Sequence, residues 1–343
     1  MGQISRKRER FIEIFQLPPA MVPHLDVVAD EREIDLVLAL AERPMTAAEV
    51  AQMMGLSAPE ADEFLARALY RQVIDKTTED GVVTYSPATF YSRLNPLAMY
   101  DNWGDVPPEA REAVIEWDMQ EFIEQYRPVI EALQQDPDAF HRIPNRDVLL
   151  LDEALAQVEA ATEHVVVPCD CRAITMACNR PSEVCIRLDE GARLTLEYGH
   201  GRRLTKEECK EIVVDANRAG LMQTGLRDWQ GHDLFGFCNC CGCCCFPFRA
   251  GIRLGIEKQW PRSHHVATRD LKACVHCGEC ASRCYFDAFY PVDAAVNING
   301  TVGQMIQFDP EKCWGCGICA TACPEGAITM TPLRESIQEE SET

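Results

Sequence analysis

Cys274, Cys277, Cys280 and Cys284 follow the spacing C-x2-C-x2-C-x3-C, and Cys313, Cys316, Cys319 and Cys323 repeat it, closing on Pro324. A thiolate is a soft anionic donor suited to iron or zinc. Three thiolates two residues apart can wrap one corner of an iron–sulfur cubane, while the fourth points away to a neighbour. Zinc sites more often set two cysteine pairs roughly a dozen residues apart than pack four into one short run. The expected chemistry is one-electron transfer on iron–sulfur clusters.

On these residues the chain resembles the two-[4Fe–4S] ferredoxin family, over about 60 of its 343 residues. The resemblance implies two [4Fe–4S] clusters with crossed ligation. Cys274, Cys277 and Cys280 would hold one cluster together with Cys323, and Cys313, Cys316 and Cys319 the other together with Cys284. One departure is visible: Tyr285 stands where the family usually carries a proline after the fourth cysteine. Trp314 reads as a cover over its cluster.

A second cysteine group lies upstream. Cys169-Asp-Cys171-Arg172 precedes Cys178 and Cys185, and Cys238-Asn-Cys240-Cys241-Gly-Cys243-Cys244-Cys245 follows some fifty residues later. Neighbouring side chains point in different directions, disulfides between such close neighbours would be strained, and bare thiolates this close repel unless metal charge offsets them. The economical expectation is one or two further iron–sulfur clusters. Zinc on four of these ten cysteines and a non-cubane cluster are the alternatives. Arg172 and Arg249 flank the groups as candidate donors to cluster sulfurs, with solvated arginine as the bland reading. His264, His265 and His276 are weaker candidates for ligation or proton transfer. Cys209 sits in a helical pattern and reads as packed. The layout over about residues 165–250 resembles a cysteine-rich module of multi-cluster 4Fe–4S proteins from anaerobic redox pathways. That resemblance implies electron transfer without naming a substrate.

The elements that must carry these cysteines are partly legible, and they imply an α+β, multidomain chain. Residues 1–100 read as a winged-helix-like domain, 101–163 as a helical connector, 164–262 as the cysteine-rich module, 263–335 as the dicluster ferredoxin-like domain and 336–343 as an acidic tail. In the first of these, Ile34, Val37, Leu38 and Ala41 recur at helical spacing. Thr46-Ala-Ala-Glu49 is a capping box, Gly55 a break, and Ser57 the cap of a third helix with Pro59 in its first turn. Asp80-Gly81 marks a tight hairpin between Ile74–Thr77 and Val82–Tyr85. Three helices and a hairpin resemble the winged helix-turn-helix family. Yet residues 41–90 hold four basic against eight acidic side chains, and Glu60, Asp62 and Glu63 open the third helix, where carboxylates would face phosphates. Pro107-Pro108 opens a long amphipathic helix, expected to kink at Pro128 and end at Asp136-Pro137. A helix over Asp152–Thr162 precedes a buried strand at His164–Pro168. Thr205–Glu208 caps a helix that ends at Gly220, with Leu221 closing the cap.

A net charge of −21 opposes general attraction to nucleic acid or an anionic membrane and suits docking on a basic redox partner. No apolar run approaches the ~20 residues of a membrane span, and the basic N-terminus lacks the apolar stretch of a secretory signal. Nineteen cysteines without such a signal point to metal ligation in a reducing cytoplasm. No glycine-rich dinucleotide fingerprint or phosphate-binding loop is present. The leading expectation is an electron-transfer subunit or dedicated partner of a larger, anaerobic-type redox enzyme. A redox- or iron-sensing winged-helix regulator and a reductive catalyst with an open iron position are the competing readings.

Overall fold

The computed structural model describes residues 5–135, 146–227, 234–298 and 301–333. The chain divides into two compact units, one of Met1–Glu124, Asp170–Met176 and Leu194–Gly201, the other of Gln125–Cys169, Ala177–Arg193 and Arg202–Thr343.

The first unit opens with α1 (Arg6–Ile14), which is capped by Ser5 and carries Phe11, stacked on Phe15 at 4.9 Å. The short α2 (Leu25–Val28) leads to α3 (Glu31–Leu40), started by an Asp30–Glu33 capping box. Capping boxes at Thr46–Glu49 and Ser57–Glu60 then start α4 (Ala47–Met54) and α5 (Ala58–Tyr70). Each such cap contributes about 1 kcal/mol of helix stability. Gly55 ends α4 in the left-handed conformation that a side chain would strain. Strands β1 (Ile74–Glu79) and β2 (Val82–Pro87) pair antiparallel about Asp80 and Gly81, both at positive φ, and Met45 bridges to Tyr85. The expected order of three helices and a hairpin is therefore present, and α1 precedes it unforeseen.

Beneath α3, the fully buried Glu33 meets the Nε of Arg71 at 2.9 Å, and Asp101 pairs with both Arg71 and Arg93. Burial raises the Glu33 carboxyl and lowers the Arg93 guanidinium to about 10. Arg93 and Asp101 belong to the segment of α6 (Phe90–Tyr100), also not foreseen. Helix α7 (Pro108–Gln135) starts where the proline pair predicted and runs on through Pro128. Its expected end at Asp136-Pro137 lies outside the described residues.

The second unit is built on a six-stranded sheet. Its elements are β3 (Val148–Leu149), α8 (Leu151–Ala160) and β4 (His164–Pro168), then, after α9 (Asp170–Thr175) of the first unit, β5 (Glu183–Leu188). There follow α10 (Asp189–Glu197), β6 (Arg202–Arg203), α11 (Lys206–Arg218), β7 (Met222–Arg227), β8 (Leu234–Cys240) and α12 (Phe246–Leu254). The strand order is β3-β7-β8-β5-β4-β6, and each neighbouring pair is antiparallel. Apolar side chains of α8 and α11 cover the sheet: Val158 and Val213 join Val166, Ile186 and Phe237 in one core. Cys209 lies in that core, fully buried, its thiol pushed up to about 12 by burial. Strand β4 and helix α11 fall where the sequence places them, and the Leu221 amide closes the helix end on the Ala216 carbonyl.

The C-terminal part is an internal repeat. After β9 (His265–Arg269) come α13 (Glu279–Arg283), β10 (Phe289–Ile298), β11 (Thr301–Phe308), α14 (Ile318–Ala322) and β12 (Ile328–Pro332). Gly278 and Gly317, 39 residues apart like Cys274 and Cys313, begin α13 and α14 in the same left-handed conformation. The same offset relates two backbone bonds, Asp270 N–H to Ala327 O at 2.9 Å and Asp309 N–H to Ala288 O at 2.7 Å. The halves exchange strands: β9 pairs with β12 and β10 with β11, antiparallel in both cases.

Candidate metal centres

Strand exchange brings the fourth cysteine of the first run to the second run. Cys284 lies close enough to Cys313, Cys316 and Cys319 for its charge to raise their thiols, while Cys274 and Cys277 do the same to Cys280. Burial is the larger cause in every case, and takes Cys280 to about 11 and Cys316 to about 12. Burial alone does the same to the core thiol Cys209, so the shifts mark enclosure, and metal charge beside such thiols would be needed to ionise them. Backbone amides are aimed at the sulfurs with the repeat's symmetry. Ala288 N–H donates to Cys284 Sγ and Ala327 N–H to Cys323 Sγ, both at 3.3 Å, and Gly315 N–H donates to Cys313 Sγ at 3.4 Å. Cys280, Cys313 and Cys319 are buried in one apolar cluster with Phe289 and Ile306, against which Cys284 and Cys323 pack.

The histidines are occupied otherwise. His276 Nδ1 accepts the Ile306 amide at 3.0 Å, His264 Nε2 meets Asp147 at 2.8 Å, and His265 faces Glu153 at 3.9 Å. Trp314 is buried and stacks on Phe286 at 4.8 Å, with Phe248 edge-on at 4.9 Å.

The upstream cysteines separate into sets, and the sheet register explains how. Ile186 pairs with Phe237 on β5 and β8, so the next positions, Cys185 and Cys238, face one another across the strands. Cys240 shares the face of Cys238 by the two-residue alternation of a strand. Asn239 points the other way, and donates to Val184 O at 2.6 Å while accepting from Gln223 at 2.8 Å. This buried amide chain holds β8 in its register. Cys169 at the end of β4 joins Cys185, and Cys245 at the start of α12 reaches Cys240 at 3.4 Å. Cys169, Cys185, Cys238, Cys240 and Cys245 thus form one buried, sheet-borne set.

Cys241, Cys243 and Cys244 turn away from the sheet after β8 and meet Cys178. Cys178 Sγ lies 3.9 Å from Cys241 Sγ and 3.7 Å from Cys244 Sγ, and Cys243 and Cys244 are 3.8 Å apart. Cys171 belongs to the first unit, on α9, with its amide bonded to Asp170 at 2.7 Å.

Arg172 is buried on α9, and the Arg249 guanidinium lies 5.5 Å over the Phe246 ring. Arg187 and Arg146 are cations whose field reaches the sheet-borne set, where they favour the Cys238 thiolate. Arg187 stands two residues beyond Cys185, a signal readable only once β5 is known to be a strand.

Residues 306–329 match the family described as the 4Fe-4S binding domain. Over 74 residues the chain is 38% identical to pyruvate synthase subunit PorD of Thermotoga maritima, a match spanning 22% of this chain and 72% of that one. A formate dehydrogenase iron–sulfur subunit of Wolinella succinogenes is 44% identical over 57 residues, 16% of this chain and 24% of that one. A heterodisulfide reductase-like protein of Archaeoglobus profundus is 59% identical over 32 residues, 9% of this chain and 5% of that one. No solved structure matches. Among the described residues, no helix is long and apolar enough to cross a membrane.

Proposed function

Because the chain belongs, through its C-terminal domain, to the ferredoxin-type 4Fe–4S iron–sulfur subunits, we propose that it relays electrons as a subunit or dedicated partner of a larger redox enzyme. Bound [4Fe–4S] clusters supply one-electron chemistry at potentials set by their surroundings. Two of them are assigned to Cys274, Cys277, Cys280 with Cys323, and to Cys313, Cys316, Cys319 with Cys284. The observation that carries this assignment is the exchange of strands between the two 39-residue repeats, which sets Cys284 beside the second run. The amides on Cys284, Cys313 and Cys323 Sγ favour the more negative, reduced state. Four of the five sheet-borne thiols hold a further iron–sulfur centre, with Arg187 and Arg146 placed to tune it.

The N-terminal unit is read as a winged-helix scaffold used for docking protein. Its support is the element order and the exposed Glu60, Asp62 and Glu63 at the start of α5, a poor surface for phosphate. With a net charge of −21, a basic face on a partner protein is the fitting counterpart. The related subunits serve, by their names, pyruvate synthase and formate dehydrogenase, and an oxidoreductase of that kind is the proposed partner. The reading places the chain in the cytoplasm, where thiols stay reduced.

Strictly anaerobic preparation, with iron and acid-labile sulfide counts and EPR of the reduced protein, tests the cluster assignment. The ferredoxin pair requires roughly 8 iron and the sheet-borne centre roughly 4 more. Fewer than roughly 8 would overturn the dicluster assignment. A retarded band with duplex DNA at low salt would overturn the docking role in favour of a regulator.

A further inference from the structure

We infer that Cys178, Cys241, Cys243 and Cys244 bind a single metal ion in tetrahedral tetrathiolate coordination, and that this ion clamps the cysteine-rich loop beside the ferredoxin-like domain. The inference rests on geometry. A tetrahedral ion with metal–sulfur bonds of about 2.3 Å holds its sulfurs about 3.8 Å apart. The measured separations are 3.7, 3.8 and 3.9 Å, and all four sulfurs lie within 4.8 Å of one another. In a cubane each thiolate binds its own iron at a separate corner and points outward, so the sulfurs stand a cage apart.

The molecule supplies its own comparison. Among the described residues no other group of three or more cysteine, histidine or carboxylate ligand atoms closes to within 4.8 Å. The sheet-borne thiols approach one another pair by pair, Cys240 and Cys245 at 3.4 Å, without three closing on one point. Among the described residues, the Cys178 set is the one whose four sulfurs all gather about one point.

The surroundings suit one ion. Cys241 and Cys244 are buried, Cys178 is half-buried and Cys243 is exposed, so the set is enclosed with one thiol left open for metal entry. Binding a divalent ion releases the thiol protons to solvent and requires no electron transfer. Zinc has this preference outright, and a lone iron is held by the same four sulfurs in the same geometry. The ion would join residues 63 to 66 positions apart. Cys241, Cys243 and Cys178 also lie near Tyr285, the residue following Cys284, so the clamp sits against the ferredoxin-like domain.

The test compares the full chain with its Cys178→Ser and Cys243→Ser forms, prepared anaerobically, by counting zinc, iron and acid-labile sulfide. The expected result is loss of one ion per chain, zinc or iron, with sulfide unchanged. Loss of several irons with an equal number of sulfides, or no loss of metal, would overturn the proposal. Should the variants not fold, the unaltered protein decides. Stoichiometric zinc whose X-ray absorption shows four sulfurs at about 2.3 Å and no metal neighbour supports it, as does a mononuclear high-spin ferric EPR signal. A metal neighbour, or the absence of both signatures, overturns it. Failure of the ferredoxin assignment would be seen separately, as missing iron and sulfide with this ion retained.

Discussion

Tyr285 packs directly on Gly242: a methyl group at Gly242 would stand 2.5 Å from the Tyr285 Cβ, and the tyrosine hydroxyl donates to Gly220 O at 2.9 Å. Arg180 lies over the same ring at 5.3 Å. Tyr285 occupies the position where a ferredoxin run would carry proline. Here the residue after the fourth cysteine forms a seam to the upstream module, a task that needs a large side chain with a polar tip.

The substitution Gly242→Ala is therefore expected to lower stability by about 1–3 kcal/mol, since the clash involves a Cβ that cannot rotate away. Combining it with Tyr285→Gly, which removes the opposing Cβ, should recover part of the loss. A double-mutant cycle on thermal midpoints measures this coupling, and strict additivity would count against direct packing.

Crossed ligation makes a pairwise prediction. Cys284→Ser and Cys316→Ser are expected to alter the same EPR-detected cluster and leave the other intact. Cys323→Ser should instead group with Cys277→Ser. If Cys284→Ser grouped with Cys277→Ser, the assignment from strand exchange would be wrong.

Arg187 favours a negatively charged Cys238 sulfur, so its charge should stabilise the reduced centre. Replacing it by glutamine is expected to lower the midpoint potential of the sheet-borne centre in a redox titration. Arg249→Gln, which removes a guanidinium lying over Phe246, should leave that potential unchanged.

His200 makes the stability of the first unit depend on pH. Burial lowers its affinity for a proton, against an opposing bond from Nε2–H to the Tyr70 carbonyl at 2.6 Å. The unfolded chain then takes up the proton first, near pH 6.5, so stability present above about 6.5 is lost as the pH falls toward the lower folded value. The loss of thermal midpoint between about pH 7.5 and 5.5 should be smaller in His200→Gln than in the unaltered protein. An equal loss would remove His200 from the account.

Local elements were legible in the sequence where the signal is itself local. The capping boxes at Thr46, Ser57 and Thr205 and the Asp80-Gly81 turn satisfy their backbone groups from within a few residues, and the strand at His164–Pro168 showed through its β-branched run. The spacing of the two ferredoxin runs is local as well, whereas the neighbours of each fourth cysteine depend on how the two repeats pair. Helix α6 has no side-chain cap, and the Ser5 cap of α1 went unread. Strand β8 was hidden because its cysteines read only as a run of metal ligands.

The sequence by itself determined that the chain handles metal through thiolates, how the ferredoxin runs are spaced, and that six cysteines crowd into Cys238–Cys245. Only the tertiary structure decided how that crowd divides. Cys238 and Cys240 share one face of β8 because a strand alternates, and they meet Cys185 because β5 lies beside β8 in one register. Cys241, Cys243 and Cys244 fall beyond the last paired residue, where the chain turns away to meet Cys178. A strand's register is set by partners about fifty residues distant, and no spacing within the run encodes it.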